Sequence, residues 1–341
     1  MKLLVTGGTG FLGSHAVKAL CDAGHAVVLL ARSQDKARRV ADRFEAAIAD
    51  VVVGDMTNAA VCKEALSGCE GVVHMAASVE IGRAGDIHAV NNAGNENVLV
   101  AAVEMGLDPV LYTSSVAALF PPRGDVIRAD DPIGELTSDY GRSKTDGERR
   151  VREMQAAGAP LVSIYPAGVY GPDDPGLGAG AKGLRDRLRF GCIMTSGGTS
   201  CVDVRDIAAI LCALAHPNRG EGTRRFMAGG HFLTWREEAD LFDELTGRKV
   251  RRFRAPPGLV NAAGHTVDLI KRIVPSFDYP LTREAARYVT DFVPCDNEPV
   301  ERELGIHFRP TTETLGDAIR WLVRAGHMDA RFAGRLASQA P

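Results

Sequence analysis

Tyr140 and Lys144 lie four residues apart in the run Tyr140-Gly141-Arg142-Ser143-Lys144, so on a helix a phenol and an ammonium share one face. A free phenol titrates near about 10, too high for easy proton exchange at neutral pH. A neighbouring cation favours the phenolate and is expected to bring that pKa towards the working range. The spacing alone also describes many solvated helix faces, so its meaning depends on what else the chain carries.

A second group of residues suits an anion. In Thr6-Gly7-Gly8-Thr9-Gly10-Phe11-Leu12-Gly13, Gly7 permits a tight turn and Gly10 lets backbone amides approach a pyrophosphate. Gly13 lets helix and strand pack closely, and the amides around Thr9, Phe11 and Leu12 open the helix at its positive end. The run follows an apolar strand and begins a helix, the order that a dinucleotide site requires. An NAD site usually carries an acidic residue at the tip of the second strand, on the ribose hydroxyls. Here the strand reads Val27-Val28-Leu29-Leu30-Ala31-Arg32-Ser33, and Arg32 with nearby Lys36 suits a 2′-phosphate instead. NADP is therefore the expected cofactor, with NAD the less favoured one. No Ser/His/Asp hydrolase elbow and no metal-ligand cluster is visible in the sequence.

The elements that must hold these groups are short apolar runs alternating with helical segments. Residues 3–6, 26–31, 48–53, 71–75, 110–113 and 161–165 read as buried strands, and 14–23 as a helix ending at Gly24. Fully apolar strands separated by helices imply a parallel sheet covered on both faces, hence an α/β, doubly wound Rossmann sheet. After Tyr165 the chain turns rich in glycine and proline, over 166–180 and 191–198, as suits loops around a ligand. Helices are expected over 235–245 and 315–324, and the tail beyond Ala330 is expected to fray. The division is thus a dinucleotide-binding domain over 1–165, with returning segments near 192–228 that include 225–228, and a smaller, mixed, mainly substrate-binding lobe over 166–341.

Composition narrows the function classes. The formal charge is -3 with both signs spread along the chain, which gives no stripe for nucleic acid. The seven cysteines are scattered, odd in number and without a C-x-x-C pair, arguing against a disulfide framework or structural zinc. The opening apolar run is too short for a signal peptide and no segment reads as a membrane span, so a cytoplasmic location is the expectation.

Further runs resemble the extended short-chain dehydrogenase/reductase family along nearly the whole chain. Thr6 to Gly13 matches its T-G-x-x-G-x-x-G, and Gly54-Asp55 matches the aspartate site that contacts adenine, with Met56 beside it. His74-Met75-Ala76-Ala77 matches its H-x-A-A strand end, Asn91 its asparagine near the active site, and Tyr112-Thr113-Ser114-Ser115 the strand bearing its serine. Tyr165-Pro166-Ala167-Gly168-Val169-Tyr170-Gly171-Pro172 and Val202-Asp203-Val204-Arg205-Asp206 echo two later segments. The resemblance implies that Tyr140 exchanges a proton with the substrate oxygen while the nicotinamide exchanges a hydride with its carbon. It implies that Lys144 holds the nicotinamide ribose and tunes the phenol, that Ser115 bonds the substrate oxygen, and that Asn91 supports a helix bend and a relay water. Cofactor contacts are implied at Ala76, Ala77, Tyr165, Gly168 and Val169 as well. A homodimer through helices over 92–105 and 140–154 follows from the resemblance only.

Two branches of the family compete. One reduces ketones or aldehydes, or oxidises the matching alcohols, on small and largely apolar molecules, as dihydroflavonol reductases and 3β-hydroxysteroid dehydrogenases do. The other acts on nucleotide-sugars as epimerase or dehydratase with tightly bound NAD, and carries an arginine and an asparagine where this chain has Tyr165 and Gly168. Losing both polar groups, together with Arg32, favours the reductase branch, whereas Arg185, Arg187 and Arg189 could hold a diphosphate or simply face solvent. A third reading, an NADP-sensing regulator without turnover, fits poorly with a retained Tyr140 and Lys144. His74 reads as structural or as cofactor wall, Asp203 and Asp206 as an ion-paired helix start around Arg205, and Trp235 as a core anchor. Titrating both reduced nucleotides by fluorescence checks Arg32: NADPH should bind tighter than NADH by about tenfold or more, the worth of one charge-assisted hydrogen bond. Equal affinities would remove the role assigned to Arg32.

Overall fold

In the computed structural model, residues 1–78, 87–218, 222, 224–274 and 282–339 are described. Along the chain run β1 (Lys2–Thr6), α1 (Phe11–Asp22), β2 (Ala26–Ala31), α2 (Gln34–Phe44), β3 (Asp50–Val53), α3 (Ala59–Leu66) and β4 (Gly71–His74). Next, α4 (Ile87–Asn95) continues through a π-turn (Glu96–Val100) into α5 (Ala101–Glu104), followed by β5 (Val110–Thr113), α6 (Asp139–Ala156) and β6 (Leu161–Pro166). Among the described residues, β1 to β6 join β10 (Arg225–Ala228) in a seven-stranded sheet of order β10-β6-β5-β4-β1-β2-β3. Every pairing in it is parallel.

Alternation along β1 shows why the sheet needs two covers. Leu3 and Val5 face a core shared with Ala16, Val17 and Leu20 of α1, while Leu4 faces the opposite core with Val98, Leu99 and Val151. All are fully buried, and leaving one such side chain in water would cost about 1.5–3 kcal/mol. The strand order reverses at β1, between β2 and β4, and there the C-terminal strand ends leave a crevice for a ligand.

The second lobe carries β7 (Val169–Tyr170), α7 (Ala179–Phe190), β8 (Cys192–Met194) and β9 (Gly198–Asp203), and α8 (Val204–Leu214) follows. Further on come β11 (His231–Thr234), α9 (Trp235–Thr246), β12 (Arg252–Arg254), α10 (Pro257–Ile273), α11 (Arg283–Asp291), α12 (Glu298–Leu304), α13 (Thr311–Arg324) and α14 (Ala330–Ala333). Small sheets β11-β9-β7 and β12-β8 hold it together. Among the described residues of 192–228, Ile207, Ile210 and Leu211 of α8 and Phe226 of β10 enter the α1-side core; β9 pairs in a small sheet yet sends Val202 into that same core, whereas β8 stays with β12. Val300 and Phe308 return to that same core from the far end of the chain, a crossing that periodicity did not reveal.

The C-terminus departs from the expected fraying. Ala333 and Leu336 are buried in the core of α7, α9 and α13, and Arg335 donates to the carbonyls of Glu244 and Leu245 at the open end of α9. Apolar packing and a capped helix end hold the tail. Trp235 starts α9 as a buried anchor, its indole N–H donating to Val289 O at 2.8 Å. Among the described residues, no helix is long and apolar enough to cross a membrane.

Two glycines separate steric from conformational demand. A Cβ on Gly13 would lie 2.1 Å from Gly7 O, whereas Gly24, at φ +83, has nothing within 4 Å. In urea denaturation, Gly24→Ala should therefore cost about 1–2 kcal/mol through its left-handed backbone alone. Gly13→Ala should cost about 3 kcal/mol or more, because helix and turn must separate. Equal losses would contradict the packing described.

Candidate active site

The turn after β1 is held from the far side of the crevice. Gly7 takes φ +74, and a Cβ there would lie 2.7 Å from Ala76 N, so the β1 turn and the chain after β4 touch backbone to backbone. Gly10 N donates to Gly7 O at 3.0 Å, and Gly10 begins α1 without a side-chain cap. The first amides of α1 are thus left for an anion, and near Gly10 a Cβ would meet only Gly7 O, at 3.3 Å. Beneath this turn runs a chain of hydrogen bonds: Ala76 N donates to Thr6 Oγ1 at 3.2 Å, which lies 2.7 Å from His74 Nδ1. His74 Nε2 is 3.0 Å from Asn95 Oδ1, an acceptor, so we assign the ring proton to Nε2 and the Thr6 hydroxyl donates to Nδ1. Burial pushes His74 down to about 4, so it is neutral and structural, as its sequence setting suggests.

At the tip of β2, Arg32 is exposed and, like Lys36, has no ion-pair partner among the described residues. Its charge helps to hold Asp55 below the usual carboxylate range, after the Thr57 N–H that Asp55 accepts at 2.9 Å. Met56 packs its sulfur where a Cβ on Gly94 would sit, and its carbonyl accepts from Asn97 Nδ2 at 3.0 Å, tying the β3 loop to α4 and its π-turn.

Ser115, Tyr140 and Lys144 come together where β5 ends and α6 begins. Ser138 caps α6 by accepting from Gly141 N at 3.0 Å, which sets Tyr140 in the first turn. Ser115 accepts from Ala117 N at 3.1 Å, and its hydroxyl lies near enough to the Tyr140 phenol to favour the ionised form. Lys144, 7% exposed, places Nζ 5.9 Å from the centroid of the Tyr140 ring. The expected lowering of the phenol by Lys144 is not what the protein groups produce. Burial raises the Tyr140 phenol and the nearby Ser115 hydroxyl opposes it, while the Lys144 ammonium sits 5.9 Å from the ring centroid. Lys144 is itself pushed down to about 8 by burial, against the raising effect of Glu148. Among the described residues, Lys144 makes no hydrogen bond, so a buried ammonium awaits acceptors.

Asn91 staples this centre. It accepts from Ser78 N at 2.7 Å and donates to Ser78 O and to Ser143 Oγ, each at 3.0 Å. The helix irregularity expected beside it is the π-turn that begins one residue after α4.

Glu148, one turn beyond Lys144 and fully buried, was not singled out from the sequence; its only signal is that spacing. It accepts from Ser114 Oγ at 2.9 Å, from Arg152 Nε at 2.8 Å and from Tyr165 Oη at 2.6 Å. The side chain of Tyr165, a residue expected at the cofactor, is fully buried and its hydroxyl donates to this carboxylate. Gly168 also has a packing reason: a Cβ there would lie 2.1 Å from Ser200 O, so β7 and β9 could not pair if any side chain stood at Gly168, while Val169 beside it is half-buried in β7. Nor do the three arginines of α7 converge. Arg187 is paired at 2.9 Å with buried Glu238, Arg185 with Asp186 at 2.9 Å, and Arg189 lies over the Phe190 ring. On a helix, alternate positions face apart. Asp203 caps α8 and pairs with Arg205 at 2.7 Å, while Asp206 pairs with Arg309, the ion-paired start expected there.

The fold and this geometry define an extended short-chain dehydrogenase/reductase. Residues 3–229 match the NAD dependent epimerase/dehydratase family, and the chain belongs to it. It is similar to a putative dihydroflavonol 4-reductase of Synechocystis, 26% identical with 95% of each chain covered. It is also similar to 4-hydroxy-2-methyl-3-oxo-4-farnesyl-3,4-dihydroquinoline-1-oxide ketoreductase of Stigmatella aurantiaca, 28% identical over 96% of this chain and 98% of that one. A UDP-glucose-4-epimerase from Stenotrophomonas maltophila, solved with bound NAD and formylated UDP-arabinopyranose, shares the fold at TM-score 0.75, with 18% identity, covering 96% and 99% of the two chains.

Because Glu148 opposes the lowering of Lys144, Glu148→Gln should let Lys144 lose its proton at lower pH. If turnover needs the ammonium, the alkaline limb of kcat/KM should move to lower pH in the variant. A limb that stays in place would remove Glu148 from the tuning of this centre.

Proposed function

We propose that the chain is an NADP-dependent oxidoreductase that reduces a ketone or aldehyde on a small, largely apolar molecule, or oxidises the matching alcohol. One observation carries the reading: Ser115, Tyr140 and Lys144, whose ammonium makes no hydrogen bond among the described residues, meet beside the crevice at the β1 turn. The residues present fit a dinucleotide, since the α1 amides carry no side-chain cap and Gly7 and Gly13 let the turn pack tightly beneath them. Gly7, Thr9, Gly10, Phe11, Leu12 and Gly13 would hold the pyrophosphate, Arg32 and Lys36 a 2′-phosphate, Asp55 the adenine side, and Lys144 the nicotinamide ribose. The bound nucleotide's part is to exchange a hydride with the substrate carbon.

The chain's own groups do the rest. A phenol whose pKa is raised by burial stays protonated at neutral pH, so Tyr140 is a proton donor to a carbonyl oxygen that gains charge. Ser115 orients that phenol and offers a hydrogen bond to the same oxygen. Asn91, Ser143 and Glu148 hold the helix that carries the pair, and the fixed geometry removes part of the entropic barrier. The nucleotide-sugar alternative loses support because Arg187 is committed to Glu238 and no side chain fits at Gly168. Tyr140→Phe should lower turnover by about 10²–10⁴-fold while NADPH still quenches protein fluorescence with unchanged affinity. Retained activity would refute the assignment.

A further inference from the structure

On one face of α11, Glu284 and Tyr288 stand one turn apart, and Glu284 meets the start of α6. Glu284 accepts from Thr137 N at 3.2 Å, from Ser138 N at 3.1 Å and from Ser138 Oγ at 2.7 Å. The lobe helix is therefore bolted two residues ahead of Tyr140. The other side of α11 is held too: Val289 O accepts from Trp235 Nε1 at 2.8 Å and from Thr195 Oγ1 at 2.6 Å. Tyr288 is stacked on Phe120, centroids 4.0 Å apart at an interplanar angle of 11°, and both rings lie about equally far from Phe292, at 6.2 and 6.3 Å. Such a stack leaves the phenol little freedom.

Its hydroxyl finds no bond among the described residues. Tyr288 Oη is buried and without a hydrogen-bond partner among the described residues. Tyr140 is close enough to raise the Tyr288 phenol electrostatically, so the two hydroxyl-bearing rings share one region. A rigidly held, buried, unsatisfied donor costs stability unless another molecule satisfies it. Most of the aromatic ladder is already packed in the core with Val116, Leu119 and Met227, so the free polar atom is what distinguishes this wall.

We propose that Tyr288 Oη recognises substrate: it donates a hydrogen bond to a second oxygen that neighbours the reacting carbonyl. This rests on the reductase reading above and narrows it, from apolar ketones in general to ketones bearing an adjacent oxygen function. A site with two phenols would engage the carbonyl oxygen through Tyr140 and its neighbour through Tyr288, fixing which face is presented.

The test compares wild type and Tyr288→Phe with NADPH on three probes: a β-keto ester, an α-hydroxy ketone, and the plain ketone of equal length. For at least one oxygenated probe, the ratio of its kcat/KM to that of the plain ketone should fall about tenfold, chiefly through KM. Because the lost hydroxyl has no partner among the described residues, the variant should also melt at the same temperature or higher. An unchanged ratio for both oxygenated probes, or a clear drop in melting temperature, would overturn the proposal. If wild type turns over none of the three, the reductase reading fails. Ligand-observed NMR of the same probes on the NADP+-bound protein then still decides Tyr288, by the presence or absence of the same tenfold preference.

Discussion

At the centre of this protein stands Lys144, a lysine sunk in the interior whose ammonium makes no hydrogen bond among the described residues. Lys144 is driven towards its neutral form by burial and held cationic by the carboxylate of Glu148 one turn away. Neither effect stands alone. Glu148 is itself tolerable in the interior only because Ser114, Arg152 and Tyr165 surround it with donors. Removing one partner of such a buried pair typically costs about 3–5 kcal/mol, so the network behind α6 is a structural unit as well as an electrostatic one.

The sheet explains why these groups meet. Ser114 and Ser115 follow β5, His74 and Ala76 end or follow β4, and the glycine turn follows β1, three adjacent parallel strands whose C-terminal ends open on one side. Thr6, His74 and Asn95 link the last residues of β1 and β4 to the helix above them, so turn, strand and helix move as one body. The second lobe then reaches over this edge. Its helix α11 contributes Glu284 to the start of α6, coupling the lobe's position to that of Tyr140.

Much of this was legible from residue order. Apolar runs gave the strand bounds 26–31, 110–113 and 225–228 as they stand, because strands buried on both faces leave an unbroken hydrophobic record. Ser115, Tyr140 and Lys144 were visible because their spacing is local or tied to a strand end. What escaped depends on contacts far apart in sequence. Tyr165 could not be read as a partner of Glu148, nor Glu284 as an anchor 146 residues from Ser138, since no short-range pattern encodes either. The tail looked free because its few apolar residues, Ala333 and Leu336, make sense only against α7, α9 and α13. The effect of Lys144 on Tyr140 was misjudged for a related reason: spacing sets proximity, but burial set the sign.

The state of Lys144 can be observed directly. With lysines isotopically labelled and Lys144 assigned by its replacement, its side-chain carbon resonance can be followed against pH with and without NADP+. Titration near about 8 in the protein alone, moving to higher pH once the nucleotide supplies acceptors, is what a buried and unpartnered ammonium requires. A midpoint in the ordinary lysine range that NADP+ leaves unmoved would contradict the account.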